Sequence, residues 1–242
     1  MSKIWATRSV ERDARRMTHP IFPYGAPVQL APGLWQLKGS LKLPVPRNMT
    51  IFRDANGELV LYSVIAMHED GMRALEALGR PAVMVIPHRR HQMDAAFYKE
   101  RYPSLRVLAA NPRHVPSVAV DGGLGELQAR GICAYVLPGN TYEDVVMELP
   151  AGGSHALCIC ESFGNVSLHG FLGAALRFLG PPGGGPGVAR AVRWRELRDI
   201  PRLKQWLASQ AERADLKMLL FGHGDAITSN VQRVLLHAAD RL

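Results

Sequence analysis

Short apolar runs, some alternating with polar residues and some unbroken, recur along the first two thirds of the chain. Residues 34–39 (LWQLKG), 48–54 (NMTIFRD) and 58–65 (ELVLYSVI) are rich in β-formers. The turn sequence Asp54-Ala55-Asn56-Gly57 separates the second from the third, so these read as strands. Residues 69–79 change period: Met72, Leu75, Ala77 and Leu78 share a helical face, and Gly79 ends it. The unbroken run 81–86 (PAVMVI) predicts a strand buried on both faces, and 91–102 a helix closed by Pro103. Residues 106–110 predict a strand and 123–131 a short helix. Three strands follow, at 132–138, 142–150 and 155–161.

Helical spacing dominates the last third. Leu168, Phe171, Leu172, Ala175, Leu176 and Leu179 define one helix, followed by the loop PPGGGPG. Residues 200–213 form an amphipathic helix, 216–222 a buried strand, and 229–242 a final helix capped by Ser229 or Asn230. Strands then helices, twice over, suit an α/β sandwich with sheets inside and helices outside.

The chain has 242 residues, 47 % of them hydrophobic, enough for one large core. We expect a single domain over 21–242, preceded by an arm over 1–20 that wraps the domain or contacts a second subunit in a homodimer. The arm lacks the apolar centre of a secretory signal, and no apolar run approaches the ~20 residues of a membrane span. Cys133, Cys158 and Cys160 are odd in number and sit in strand-like contexts. That argues against a disulfide framework and for a reducing, cytoplasmic setting. Two apart on a strand, Cys158 and Cys160 share a face, where a buried structural role is favoured over metal binding. The formal net charge of +8 permits an anionic partner. No run of five basic residues and no nucleic-acid-binding signature accompanies it, so no nucleic acid is expected as partner.

Four stretches end an apolar run in polar residues that can bind metal or ligand: VMVIPHRRHQMD, AYVLPGNTYED, ALCICESFGN and LLFGHGDAIT. Residues just beyond strand ends lie on one rim of a sheet. His88, His91, Asp94, Asn140, Glu161, His223 and Asp225 are therefore expected to line a pocket there. No Gly-x-Ser-x-Gly elbow or Walker loop is present. The cysteines lack the polar setting of a nucleophile.

In this order PHRRHQMD, PGNT, CICE and GHGD resemble the metallo-β-lactamase fold superfamily. Its members carry Thr-His-x-His-x-Asp-His, then Pro-Gly-His-Thr, a strand ending in Asp, and a late Gly-His-Gly. The resemblance spans roughly residues 26 to 242. It implies an αββα sandwich of two mixed sheets flanked by helices, and hydrolysis of a small-molecule substrate at a zinc centre. Even LYSVI sits where the family has a strand running into Asp.

The departures bear on chemistry. Aligned on His88, the family's second histidine falls on Arg90, and its aspartate and third histidine on Gln92 and Met93. A one-residue shift brings His91 into play. The Pro-Gly-His-Thr histidine is Asn140 and the bridging aspartate is Glu161; His223 keeps its type. Asn140 is a poor zinc donor and otherwise reads as a turn residue. Arg90 repels a divalent ion and competes for its carboxylates. His88 or His91, Glu161 and His223, with Asp94 as a further candidate, amount to one divalent ion at most, zinc by preference. Asp94 also suits the first turn of a helix, where acids are favoured. The resulting expectation is a hydrolase with an altered or mononuclear site, Glu161 and His223 being its catalytic residues. One alternative is a metal-free member binding an anionic or polar ligand through Arg89 or Arg90 and His223, with Asn140 and Asp225 as further ligand-binding candidates; another is a protein that binds a partner through the basic N-terminal arm. We expect Arg90 to take the place of a ligand and to pair with Glu161, the guanidinium standing in for a cation; in a pure metal loop Arg90 would instead point to solvent.

Overall fold

A computed structural model describes residues 19–41, 46–166, 178–181 and 184–242. Most of the arm, most of the helix expected around 168–179 and part of PPGGGPG lie outside the described residues.

Two sheets face each other. The first has six strands in sequential order: β1 (Val28–Ala31), β2 (Leu34–Gly39), β3 (Arg47–Arg53), β4 (Glu58–Tyr62), β5 (Arg80–Ile86) and β6 (Arg106–Ala109). The second runs in the order β10 (Leu216–Phe221), β9 (Ser154–Ile159), β8 (Val145–Ala151) and β7 (Cys133–Val136). Both are mixed. Hairpin-linked β1 to β4 are antiparallel, while β4, β5 and β6 pair in parallel. In the second sheet β9 and β10 are parallel and the other pairs antiparallel.

The side-chain period of a strand sorts the core into three layers. Val83 and Val85 of β5 point between the sheets, joining Val60 and Tyr62 of β4 and, from across the gap, Met147, Ala156, Cys158 and Leu220. Met84 and Ile86 point the other way, onto helices α1 (Glu69–Glu76) and α2 (Ala95–Arg101) through Met72, Leu75, Ala95 and Tyr98. The outer face of the second sheet carries Leu157, Ile159, Leu219 and Phe221. It packs on α3 (Arg190–Glu196), α4 (Ile200–Ala211) and α5 (Val231–Asp240). The architecture is the expected αββα sandwich. Cys158 and Cys160 lie together in the middle layer, buried and unbridged.

Several elements depart from the sequence reading. β1, α3 and a 3₁₀ turn at Pro112–His114 are additional. The segment Leu124–Arg130 is 3₁₀ rather than α-helical. β4 stops at Tyr62 because Ser63 adopts a left-handed backbone, φ 60°, which a strand cannot absorb. α2 begins only at Ala95, since His88 to Asp94 form a compact loop instead. Asn230 precedes α5 with φ 54° and makes no side-chain cap. No helix among the described residues is long and apolar enough to cross a membrane.

The loop before α2 is anchored by Asp94, which is 1 % exposed. Its carboxylate accepts from Arg47 Nη2, from the Ala66 backbone N–H at 3.0 Å, and meets His19 Nε2 at 2.7 Å. Arg47 is itself only 6 % exposed, so the pair is almost dry. Removing one member leaves the other buried without a counter-charge. Asp94→Ala is expected to lower unfolding free energy by roughly 3–5 kcal/mol in urea titration. A loss under about 0.5 kcal/mol, the level of a surface change, would show that Asp94 anchors nothing.

Candidate active site

Register brings the polar residues together. Phe221 pairs with Ile159 in the parallel β9–β10 ladder. Glu161 and His223 each follow two residues later, so both emerge at the same edge. β8 runs the opposite way, which puts Asp144, just before it, at this edge too. In the first sheet the same rim receives Ser63 after β4, the loop 88–94 after β5, and Pro46 before β3. The sheets are hydrogen-bonded to each other here. Asn48 N–H donates to Gly222 O (2.8 Å) and Val145 N–H to Pro87 O (2.8 Å).

Glycine lets His223 come this close. A Cβ on Gly222 would sit 2.7 Å from the Cys160 carbonyl oxygen. Gly224 has φ 92°, and a Cβ there would meet Asn165 O at 2.0 Å. The buried Asn48 amide fixes the turn by donating to Phe221 O (2.9 Å) and Gly224 O (2.6 Å).

Three ligand-type atoms form a triangle. His91 Nε2 lies 3.1 Å from Glu161 Oε2 and 3.2 Å from His223 Nε2, and His223 Nε2 lies 3.4 Å from Glu161 Oε2. Their side chains are 6 %, 13 % and 20 % exposed. The far ring nitrogens are held as well. His223 Nδ1 donates to the Pro46 carbonyl (2.8 Å), leaving Nε2 to face the triangle. His91 Nδ1 meets Ser63 Oγ at 2.8 Å. A hydroxyl both donates and accepts, so Ser63 supports either tautomer of His91.

Burial pushes His91 down to about 4, more than the Glu161 carboxylate pulls it up. For His223, burial opposes charging, but contact with Glu161 outweighs it and the pKa rises above the usual 6.5. Burial likewise works against ionised Glu161, but hydrogen bonds from His223 and His91 hold it well below the carboxylate range. Under it lies Asp144, fully buried, which accepts from the Glu161 N–H (3.1 Å) and the Ser162 N–H (2.7 Å). Burial raises its pKa to about 6.

The other oxygen of Glu161 belongs to Arg90, whose Nη1 donates to Oε1 at 2.5 Å. The expected ion pair is present, and it extends further. Arg90 Nη2 also binds Glu196 at the end of α3, whose carboxylate is fully buried. Glu196 Oε2 in turn lies 3.3 Å from His88 Nε2. Burial disfavours ionised Glu196, but contact with His88 and the charge of Arg90 more than offset this, and its pKa is lowered. A row His88–Glu196–Arg90–Glu161 thus runs beside the triangle.

Of the residues singled out in sequence, His91, Glu161 and His223 converge as a ligand set. His88 lies in the adjacent row, turned to Glu196. Asp94 is committed to Arg47 and His19. Asn140 Oδ1 accepts from the Tyr142 N–H (2.7 Å), as a turn residue does, while its amide donates to Ser162 Oγ (2.8 Å). Asp225 is exposed and pairs with Lys38. Sequence reading passed over Glu196, Ser63 and Asp144. Glu196 in RWRELRD looks like any charge on a solvated helix. An acid directly before the buried strand at Val145 was the one available signal for Asp144.

The architecture is that of known enzymes. No protein-family model matches the chain, and comparison with curated proteins gives no match. Solved structures do match. The metallo-β-lactamase FIM-1 from Pseudomonas aeruginosa, solved in a mono-zinc form, is 14 % identical. It superposes with a TM-score of 0.60 over 92 % of this chain and 98 % of its own. The metallo-β-lactamase from Hirschia baltica is 12 % identical, with a TM-score of 0.58 over 90 % and 98 %. One from Erythrobacter litoralis is 16 % identical, with a TM-score of 0.55 over 96 % and 100 %. The chain has the metallo-β-lactamase fold.

Arg90→Ala would leave Glu196 with His88 alone. Because the Arg90 side chain is 39 % exposed, the expected loss is about 1–3 kcal/mol, below that of a dry pair. Arg90→Lys should recover only part of it, since one ammonium lacks the fork that spans two carboxylates. Equal urea midpoints for wild type and Arg90→Ala would show that the bridge contributes nothing.

Proposed function

We propose that the chain is a hydrolase working with one divalent ion, zinc by preference, held by His91, Glu161 and His223. The observation that carries this is the triangle with edges of 3.1, 3.2 and 3.4 Å. Ligand atoms about 2.0–2.1 Å from a tetrahedral zinc lie about 3.3–3.4 Å apart. The donor set suits the ion too: two imidazoles and a carboxylate leave a fourth position open, as hydrolytic zinc sites do. An ion there would supply Lewis acidity and lower the pKa of a nearby water.

The chain's own groups prepare this site. The Pro46 carbonyl and Ser63 hydroxyl orient the two rings. Asp144 fixes the backbone of Glu161 through two N–H groups. Arg90 neutralises the carboxylate oxygen that the triangle does not use, and its charge disfavours a second cation alongside. This arrangement supports a mononuclear centre. Substrates are small molecules with a hydrolysable carbonyl or phosphoryl centre.

One observation favours a second reading. His223, with its raised pKa, can place a proton on the same Glu161 oxygen, and Arg90 already answers the other. In that state the rim is complete without metal and acts as a ligand-binding site.

Metal analysis separates the two. Protein purified without added metal is expected to carry one zinc per chain, lost in His91→Ala and His223→Ala. Two zincs per chain would overturn the mononuclear centre. No uptake from equimolar zinc would leave the metal-free reading. Affinity should also depend on pH in a fixed direction. Zinc must displace the His223 Nε2 proton, so affinity rises as pH passes upward through that raised pKa. His91, neutral above about 4, adds no dependence there. Chelator competition between about pH 6 and about pH 8 checks it; a flat profile contradicts a proton held at that atom.

A further inference from the structure

Next to the triangle, a groove of about 390 Å³ is lined by Arg89, Arg90, Gln92, Arg113, His114 and Pro116. That is within the ~300–1,000 Å³ range of small-molecule sites. Arg90 links the two: it lines the groove and binds Glu161 of the triangle. The other two arginines differ from it. Among the described residues, neither Arg89 nor Arg113 is paired with a carboxylate, and both are exposed. Besides Arg90, His114 meets an acid, Glu143, at 3.3 Å.

The Arg89 guanidinium and the backbone that carries Arg113 are held in place. The Arg89 guanidinium lies 3.5 Å from the ring centroid of Tyr142. Gln92 ties the loops together. Its amide donates to Arg89 O (2.6 Å) and His114 O (3.0 Å), and its Oε1 accepts from the Ser117 N–H (3.1 Å). Asn111 Oδ1 accepts from the Arg113 N–H (3.1 Å) and sets the 3₁₀ turn carrying that residue. Two loops thus hold like charges at one groove whose lining includes no acid, Glu143 lying against its His114. Such an arrangement costs repulsion unless an anion offsets it.

We propose that this groove binds a phosphoryl group of the substrate. The substrate class is then a phosphorylated small molecule whose scissile centre lies over the triangle. A carboxylate has two acceptor oxygens, whereas a phosphoryl group has three and suits more than one arginine fork. The substrate assignment rests on the hydrolase reading, but the anion site stands on the arginines alone.

Inorganic phosphate is the probe, titrated calorimetrically into full-length protein at low salt, with zinc content measured on each sample. Arg89→Gln/Arg113→Gln should weaken phosphate by at least about tenfold with zinc content unchanged. The double variant Arg202→Gln/Arg233→Gln removes the same charge from α4 and α5, remote in sequence from the groove loops. It should change affinity less than about threefold. Acetate should bind at least about tenfold more weakly than phosphate. His223→Ala should lose zinc yet keep phosphate affinity. The proposal is overturned if the wild type binds no phosphate, if both double variants lose affinity alike, if acetate matches phosphate, or if phosphate binding disappears with zinc in His223→Ala. Absence of zinc from every sample, with phosphate still lost in the groove variant, would sink the hydrolase reading and leave the anion site standing.

Discussion

The Glu161 carboxylate ends a buried strand where the two sheets meet, and its negative charge must be balanced in a poorly solvated place. An unpaired carboxylate at 13 % exposure would protonate or force the rim open. The chain surrounds it instead. Two imidazole nitrogens face one oxygen, an arginine takes the other, and Asp144 underneath ties down the backbone N–H groups of Glu161 and Ser162. Most features of the rim follow from this one charge: the arginine within the loop after β5, the glycines around His223, and the left-handed Ser63 that turns its hydroxyl to His91.

Under the proposed metal reading, the same constraint favours one ion over two. A carboxylate can share its oxygens between two cations, and here an arginine already takes one oxygen. The guanidinium is planar and cannot be deprotonated, and it spans from Glu161 to Glu196 as a metal would span two ligands. Glu196 comes from α3, outside the sheets, and His88 closes the row behind it. The fold is shared with metallo-β-lactamases of 12–16 % identity.

Not every acid near the site belongs to it. Asp94 lies three residues from His91, yet it faces away and pairs with Arg47 and His19. Its work is to fix the loop whose opposite side presents Arg90 and His91. Proximity in sequence therefore says little about which side of a tight loop a side chain occupies. A single residue of shift changes the assignment, exchanging Arg90 for His91 as the ligand position.

The sequence by itself determined the layers. Val83 to Ile86 must be a strand because an unbroken apolar run of that length satisfies a buried sheet. Residues 69–79 must be a helix because their apolar positions repeat at its period, and the order of elements then selects the sandwich. Local composition also marked the strand ends as polar, so His91, Glu161 and His223 were legible as candidates, as was a cation at Arg90 facing an acid. What only the tertiary structure decided was partnership. Glu161 and His223 meet because of the β9–β10 register, Asp144 because β8 runs the other way, and Ser63 because a strand stops at a left-handed residue. Glu196 meets Arg90 across 106 residues of chain. None of these contacts leaves a periodic trace, because register and long-range ion pairing depend on how whole strands settle against each other, while hydrophobic pattern records only which face is buried.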